Sequence, residues 1–231
     1  MASKKFLNKT CVYCRVPSSS STRDHVFAES FFEGVVKPSK LPQAPACSIC
    51  NTTKSNLETY LAAVLLFGSR LKNSKKILSE SAIKRLRKNH KLHKELVVGS
   101  TTKWKLNPAN GLILPAIEHI PFDNEKFTKW LIYIVQGLSF CYFKTILFDN
   151  DGIGINMLRA IDNRCLIYDE IFKRCPIVEE NLSEVFCFRG VVAENIIVWE
   201  LKILGGLTFD ESNKAPDRIF GVVTKNQLQK S

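Results

Sequence analysis

Cys11-Val12-Tyr13-Cys14 and Cys47-Ser48-Ile49-Cys50, the second running straight into Asn51-Thr52-Thr53-Lys54, are the stretches on which the reading of the fold turns; 32 residues separate the two pairs. Two thiolates on one tight turn can occupy adjacent corners of a tetrahedron, and two such turns complete a four-cysteine zinc site. A closed site of this kind has no open position, so Cys11, Cys14, Cys47 and Cys50 are expected to bind zinc structurally and to hold the segment inserted between them. A redox-active reading of Cys-x-x-Cys needs a thioredoxin-like βαβ context, and the surrounding residues do not supply one.

The insert is turn-rich, broken by Pro17, the serines 18–21, Gly34, Pro38, Pro42 and Pro45. Within it Asp24-His25-Val26-Phe27 reads as a short strand. Beyond the second pair, Leu57, Tyr60, Leu61, Val64 and Leu65 recur at helical spacing until Gly68. At about 100° per residue, Asn51, Lys54, Ser55 and Glu58 fall together on a separate polar face of that helix.

Taken in order, the first cysteine pair, Arg23-Asp24-His25-Val26-Phe27, and the second pair with Asn51 and Lys54 resemble the zinc-clamped form of the HNH, or ββα-metal, nuclease family over residues 11–58. The resemblance implies a metal-dependent endonuclease. His25 would be the general base, since an imidazole accepts a proton near neutral pH. Asp24 and Asn51 would hold a divalent metal, and oxygen donors suit Mg2+ or Mn2+. Lys54 is expected to pair with a phosphate, and Glu58 on the same face to tune the metal, as a further ligand, or to orient a ligand-bearing side chain; a solvated helix face is the plain alternative for both. The chain departs from the family pattern at Ala28, where a proline often stands, and in having no asparagine between His25 and Cys50. Gln43 is the nearest polar residue to that missing position, which in the family supports the histidine loop by hydrogen bonding. The alternative reading is a zinc-stabilised nucleic-acid-binding protein whose nuclease site is degenerate and inactive.

The charge distribution points the same way. The 231 residues carry a net charge of +11, and a division after Lys105 leaves 20 Lys and Arg against 6 Asp and Glu on the N-terminal side, a surplus of +14. The remainder has 13 against 16, or −3. A polyanionic partner, double-stranded DNA on the family reading, is expected to meet the basic part. Residues 70–95 are read as one or two basic amphipathic helices, with Arg70, Lys72, Lys75, Lys76, Lys84, Arg85, Arg87 and Lys88 against phosphates. His90 and His93 belong to the same basic face. With one active site per chain, cutting both strands requires a homodimer or two encounters.

A composition of 45% hydrophobic and 24% charged residues excludes a disordered tail and a disulfide-stapled mini-protein. No apolar segment follows the basic residues 1–10, so no secretory signal is read and the chain is expected in the cytoplasm. The apolar stretch from Trp130 to Phe143 is too short for a membrane span. Cys141, Cys165, Cys175 and Cys187 lack paired spacing and are expected as buried thiols, and Trp104, Trp130 and Trp199 are too scattered to form a base-stacking platform.

The expected fold class is α+β. Residues 1–68 form the ββα-metal module with its four-cysteine site, 69–98 a basic helical segment, 99–123 a connection, and 124–231 an α+β domain of unassigned role. In that last part a buried helix is expected over 125–147, opening near Asp123, and another over 156–174. Strands of an antiparallel sheet are expected over 185–192, 195–204, 207–209 and 218–223. Asp149, Asp151 and Asp169 have no spacing that distinguishes them from surface charge.

Overall fold

The computed structural model describes residues 4–77, 83–106, 111–147, 152–194, 196–207 and 218–224. It combines helices with three antiparallel sheets, the largest of five strands in the C-terminal part. Strands β1 (Thr22–His25) and β2 (Gln43–Ala46) pair antiparallel, with His25 opposite Gln43. Helix α1 (Ser48–Val64) follows immediately. The Cys47 sulfur caps it by accepting the Cys50 amide at 3.4 Å, which satisfies one of the orphan N–H groups of the first turn. Its apolar stripe, Leu57, Leu61, Ala62 and Leu65, enters the main core, and a tight helical turn carries the chain on to Gly68.

Among the described residues the basic run is helical over α2 (Ser74–Ile77), α3 (Ile83–Lys88) and α4 (His90–Gly99). Asn89 breaks the run by capping α4, its side chain accepting the Leu92 amide at 3.1 Å. Leu86, Leu92 and Leu96 then pack on Ala63 and Val64 of α1. The expected connection over 99–123 contains two strands paired antiparallel, β3 (Thr101–Leu106) and β4 (Ile113–His119).

Helix α5 (Asn124–Phe143) is capped by Asp123, which accepts the Lys126 amide at 2.9 Å, and ends at Lys144 in the left-handed region. The helix expected over 156–174 is a strand followed by a helix. β5 (Ile153–Leu158) pairs with β9 (Arg218–Thr224), and α6 (Asn163–Arg174) starts only after Asp162 caps it. Pairing along β9 overrides the weak strand preference of Asn156, Met157 and Leu158. β6 (Ile177–Leu182), β7 (Phe186–Ala193) and β8 (Ile196–Ile203) complete a sheet in the order β5-β9-β8-β7-β6. Sequence reading missed β6, an edge strand whose Glu179 and Glu180 dilute its apolar pattern. Of the strand expected over 207–209, Leu207 bridges to Ser69, and residues 208 and 209 lie outside the described residues, as do Asp149 and Asp151.

Period-two alternation gives this sheet two faces. Val191, Val198 and Phe220 turn to α6 with Phe172 and Cys165, where Arg189, Arg218, Asp169 and Glu200 form a charge-balanced network over the apolar layer. Phe186, Phe188, Trp199, Leu201, Ile203 and Ile219 turn to the other side, toward α5 and the N-terminal elements. There α5 is a wedge. A Cβ on Gly137 would lie 2.7 Å from a Val26 methyl, and one on Gly221 would lie 2.2 Å from a Val135 methyl, so glycine permits close approach on both sides.

The core therefore runs continuously through residues expected in separate domains. Phe27, two residues beyond His25, stacks on Phe186 with ring centroids 4.3 Å apart, and Phe31 meets both Phe186 and Trp130. Phe186→Ala should lower stability by about 3–5 kcal/mol, read as a fall in the urea midpoint. The loss should appear as one shared transition in tryptophan fluorescence and circular dichroism. Two separate transitions, with only one displaced, would mean that the two halves fold independently.

Candidate functional site

The four expected zinc ligands come together. Their sulfur atoms all lie within 4.8 Å of one another, and Cys14 Sγ is 3.7 Å from Cys47 Sγ. A tetrahedron built on Zn–S bonds of about 2.3 Å has sulfur–sulfur edges of about 3.8 Å, so the donor set and its spacing are compatible with structural zinc. The Val12 amide donates to the Pro45 carbonyl at 3.0 Å and ties the first turn to β2, beside the second pair. Burial pushes the Cys11 and Cys50 thiols up; at Cys14 the burial penalty is outweighed by hydrogen bonding, from the Val16 backbone first, and the thiol is lowered. Tyr133 of α5 stands near this cluster: burial, with the four cysteines adding to it, pushes its hydroxyl up to about 12. Among the described residues no other group of three or more histidine, cysteine or carboxylate side chains gathers in this way, and His90 and His93 are exposed on α4.

At the end of β1, Asp24 turns inward and His25 outward, as neighbours on a strand must. Asp24 is 6% exposed. Its Oδ2 accepts from the Tyr13 hydroxyl and from Lys54 Nζ at 3.1 Å, while Oδ1 has one long contact, 3.4 Å, to the same ammonium. Lys54 is not on a solvated face. It is 0% exposed and also donates to Glu58 Oε1 at 2.6 Å and to the His25 carbonyl at 2.7 Å. Its three N–H bonds thus meet three acceptors, and from this position it cannot reach a phosphate on the surface.

Glu58, the further metal ligand of the sequence reading, is buried on the same ammonium and also accepts from Trp130 Nε1 at 3.4 Å. Desolvation raises its pKa, with Lys54 opposing the shift. Tyr13 is held well above its ordinary value by burial and by Asp24, so it stays a hydrogen-bond donor. Asn51, at i−3 from Lys54, lies one turn nearer the helix start on the face that Lys54 turns to Asp24 and His25, and is half-buried.

The His25 side chain is 24% exposed. Gln43, its cross-strand neighbour, brings Nε2 to 2.8 Å from His25 Nε2, and Glu29 Oε1 lies 3.6 Å from Nδ1. With the amide assigned as donor, Nε2 accepts and the ring proton sits on Nδ1, facing the carboxylate. Burial, partly offset by Glu29, holds His25 below its ordinary value of 6.5, so the ring is neutral at pH 7.

Among the expected phosphate contacts, Arg70, Lys72, Lys76, Lys84, Arg87 and Lys88 are exposed, and the Lys75 side chain lies outside the described residues. Arg85 is an anchor instead. It donates to the Ser30 and Ala62 carbonyls and pairs with Glu33 at 2.6 Å, joining α3 to α1 and to the turn that follows His25. Tyr13 and Trp130 were not foreseen as parts of the site. Tyr13 sits between Cys11 and Cys14 and meets Asp24 only through the fold, and Trp130 reaches Glu58 across 72 positions of sequence.

Replacing Lys54 by Met would leave two carboxylates buried with no cation, an expected loss of about 3–5 kcal/mol in urea unfolding. Adding Glu58→Gln should recover part of that loss, whereas an unchanged midpoint in Lys54→Met would mean that the ammonium does not hold the carboxylates. Comparison with known proteins finds no family model that matches the chain, and no curated protein or solved structure with significant similarity to it.

Proposed function

We propose that this chain is a metal-dependent endonuclease of the zinc-clamped ββα-metal type that hydrolyses phosphodiester bonds in double-stranded DNA. One observation carries the reading: a neutral, partly exposed histidine follows a buried carboxylate at the end of a strand, and Lys54 of the helix that begins at Ser48, beside a tetrathiol cluster, holds both the Asp24 carboxylate and the His25 carbonyl. The order of β1, β2 and α1 along the chain supports the reading.

In this reading the Gln43 amide leaves His25 Nε2 when substrate binds, and Nε2 then takes a proton from water as the water oxygen attacks phosphorus and the P–O bond to the departing oxygen breaks. Glu29 orients the ring from the Nδ1 side, Gln43 holds it before substrate binds, and Lys54 fixes the backbone at His25 through its carbonyl. Tyr13 and Lys54 hold Asp24 Oδ2, and Oδ1 has the long 3.4 Å contact to the same ammonium with a lone pair beyond it, a pattern that suits a carboxylate ligand steadied by its own hydrogen bonds. With the Asn51 side chain it would hold Mg2+ or Mn2+, which supplies positive charge to the phosphate and to the departing oxygen. Helices α3 and α4, with six Lys or Arg against one Glu over 83–99, would meet the DNA backbone with little sequence preference.

A second reading, a zinc-stabilised nucleic-acid-binding protein with an inactive site, is favoured by the depth of Asp24 and by the two groups already on its Oδ2. Supercoiled plasmid incubated with Mg2+ or Mn2+ separates the two. Nicking that EDTA abolishes and that His25→Ala slows by roughly 10²–10⁴-fold supports the enzyme. DNA binding without nicking above the His25→Ala background supports the inactive module, and cleavage that survives in His25→Ala removes His25 as the base. Because burial lowers the His25 pKa below 6.5, more than half of the ring is still in the base form at pH 6.5, so the nicking rate should fall by less than half between pH 8 and 6.5 and drop further only below that.

A further inference from the structure

Arg15 occupies a position that glycine would fill without strain. It follows Cys14 at φ 61°, and its amide donates to the Cys11 carbonyl at 2.8 Å to close the first cysteine turn. A side chain in the left-handed region costs about 1–2 kcal/mol, so an arginine there directs attention to what the guanidinium does. Together with Lys129 and Tyr133 of α5, Arg15 lines a cavity of about 340 Å³ whose wall also contains Cys14 and Cys50. Two cations and a phenol therefore share one space with half of the thiol cluster.

Charge bookkeeping decides what they do there. Zinc with four thiolates has a formal charge of −2, and Cys11 and Cys50 are buried, where an uncompensated charge is costly. Arg15 and Lys129 together bring +2. We propose that Arg15, Lys129 and Tyr133 form the outer shell of the cysteine-bound zinc, neutralising the tetrathiolate and guarding its cavity side, so that α5 is part of the metal centre. An anion-binding role for the same cations is disfavoured, because with zinc bound the cavity wall is close to neutral overall.

The proposal rests on zinc occupying the four thiols. The test uses the zinc-loaded full chain, excess chelator and a colorimetric zinc indicator to follow release. Arg15→Gly, which relieves the backbone strain, and Lys129→Gln should each release zinc about 10-fold faster than wild type. Lys129→Arg should restore slow release. Added NaCl should accelerate release from wild type and have little effect on the Arg15→Gly, Lys129→Gln double variant. Release at the wild-type rate in both single variants, or acceleration only in proportion to a lowered urea midpoint, overturns the proposal. Slower release from wild type in millimolar inorganic phosphate also overturns it, by showing an anion site. A chain that takes up no zinc at all sinks the zinc reading itself, an outcome visible before any rate is measured.

Discussion

The Lys54 ammonium is enclosed by the Asp24 carboxylate, the Glu58 carboxylate and the His25 carbonyl, and it has no contact with solvent. Dehydrating an ammonium costs several kcal/mol even after relaxation. Charge-assisted hydrogen bonds of about 1.5–3 kcal/mol each offset that cost only when all three are made. The interaction therefore acts on register. Sliding β1 by one residue would turn Asp24 outward and leave the ammonium facing an unrelated side chain. Strand β1 is thereby held in the one register that presents His25 to the surface.

The four-cysteine cluster and α5 reach this ammonium from opposite ends. Tyr13, enclosed between Cys11 and Cys14, donates its hydroxyl to Asp24, and Trp130 of α5 donates its indole N–H to Glu58. The result is a hydrogen-bonded chain from the first cysteine turn through Asp24, Lys54 and Glu58 to the central helix. It runs beside an aromatic layer in which Phe27 and Phe31 meet Phe186 and Trp130. Anything that displaces α5 from the sheet also loosens the carboxylate beside His25. The C-terminal sheet, in which no catalytic motif is visible, thus acts on the site by holding the helix that holds Glu58.

What could be read in advance was what short-range spacing encodes. The two cysteine pairs and the Asp24-His25 strand are local patterns, and so are the periodicities of α1 and α5, since turn geometry and helical pitch dictate them within a few residues. The solvated face, the alternative for Lys54 and Glu58, fails for a physical reason. Polar residues on a helix normally face water, and these two are buried because Asp24, 30 positions before Lys54, and Trp130, 72 positions after Glu58, supply partners. β5 was hidden because Asn156 and Met157 carry little strand preference, and only pairing with β9, about 60 residues later in the chain, makes them a strand. Gln43 was visible as a polar residue near the missing asparagine, but its contact with His25 depends on the register of β1 and β2.

The same distinction divides the basic residues. Arg85 and Lys54 belong to the excess of positive charge, yet both are committed to internal acceptors, so the charge surplus overstates the surface open to a polyanion. Arg85 fastens α3 to the Ser30 and Glu33 segment, which begins five residues after His25, and to the Ala62 carbonyl of α1. Exposed Lys84, Arg87 and Lys88 on that helix therefore keep a set distance from the histidine. On the nuclease reading, non-specific phosphate contacts on α3 would place a backbone at a repeatable position relative to His25, because the helix that carries them is pinned to the turn that follows it.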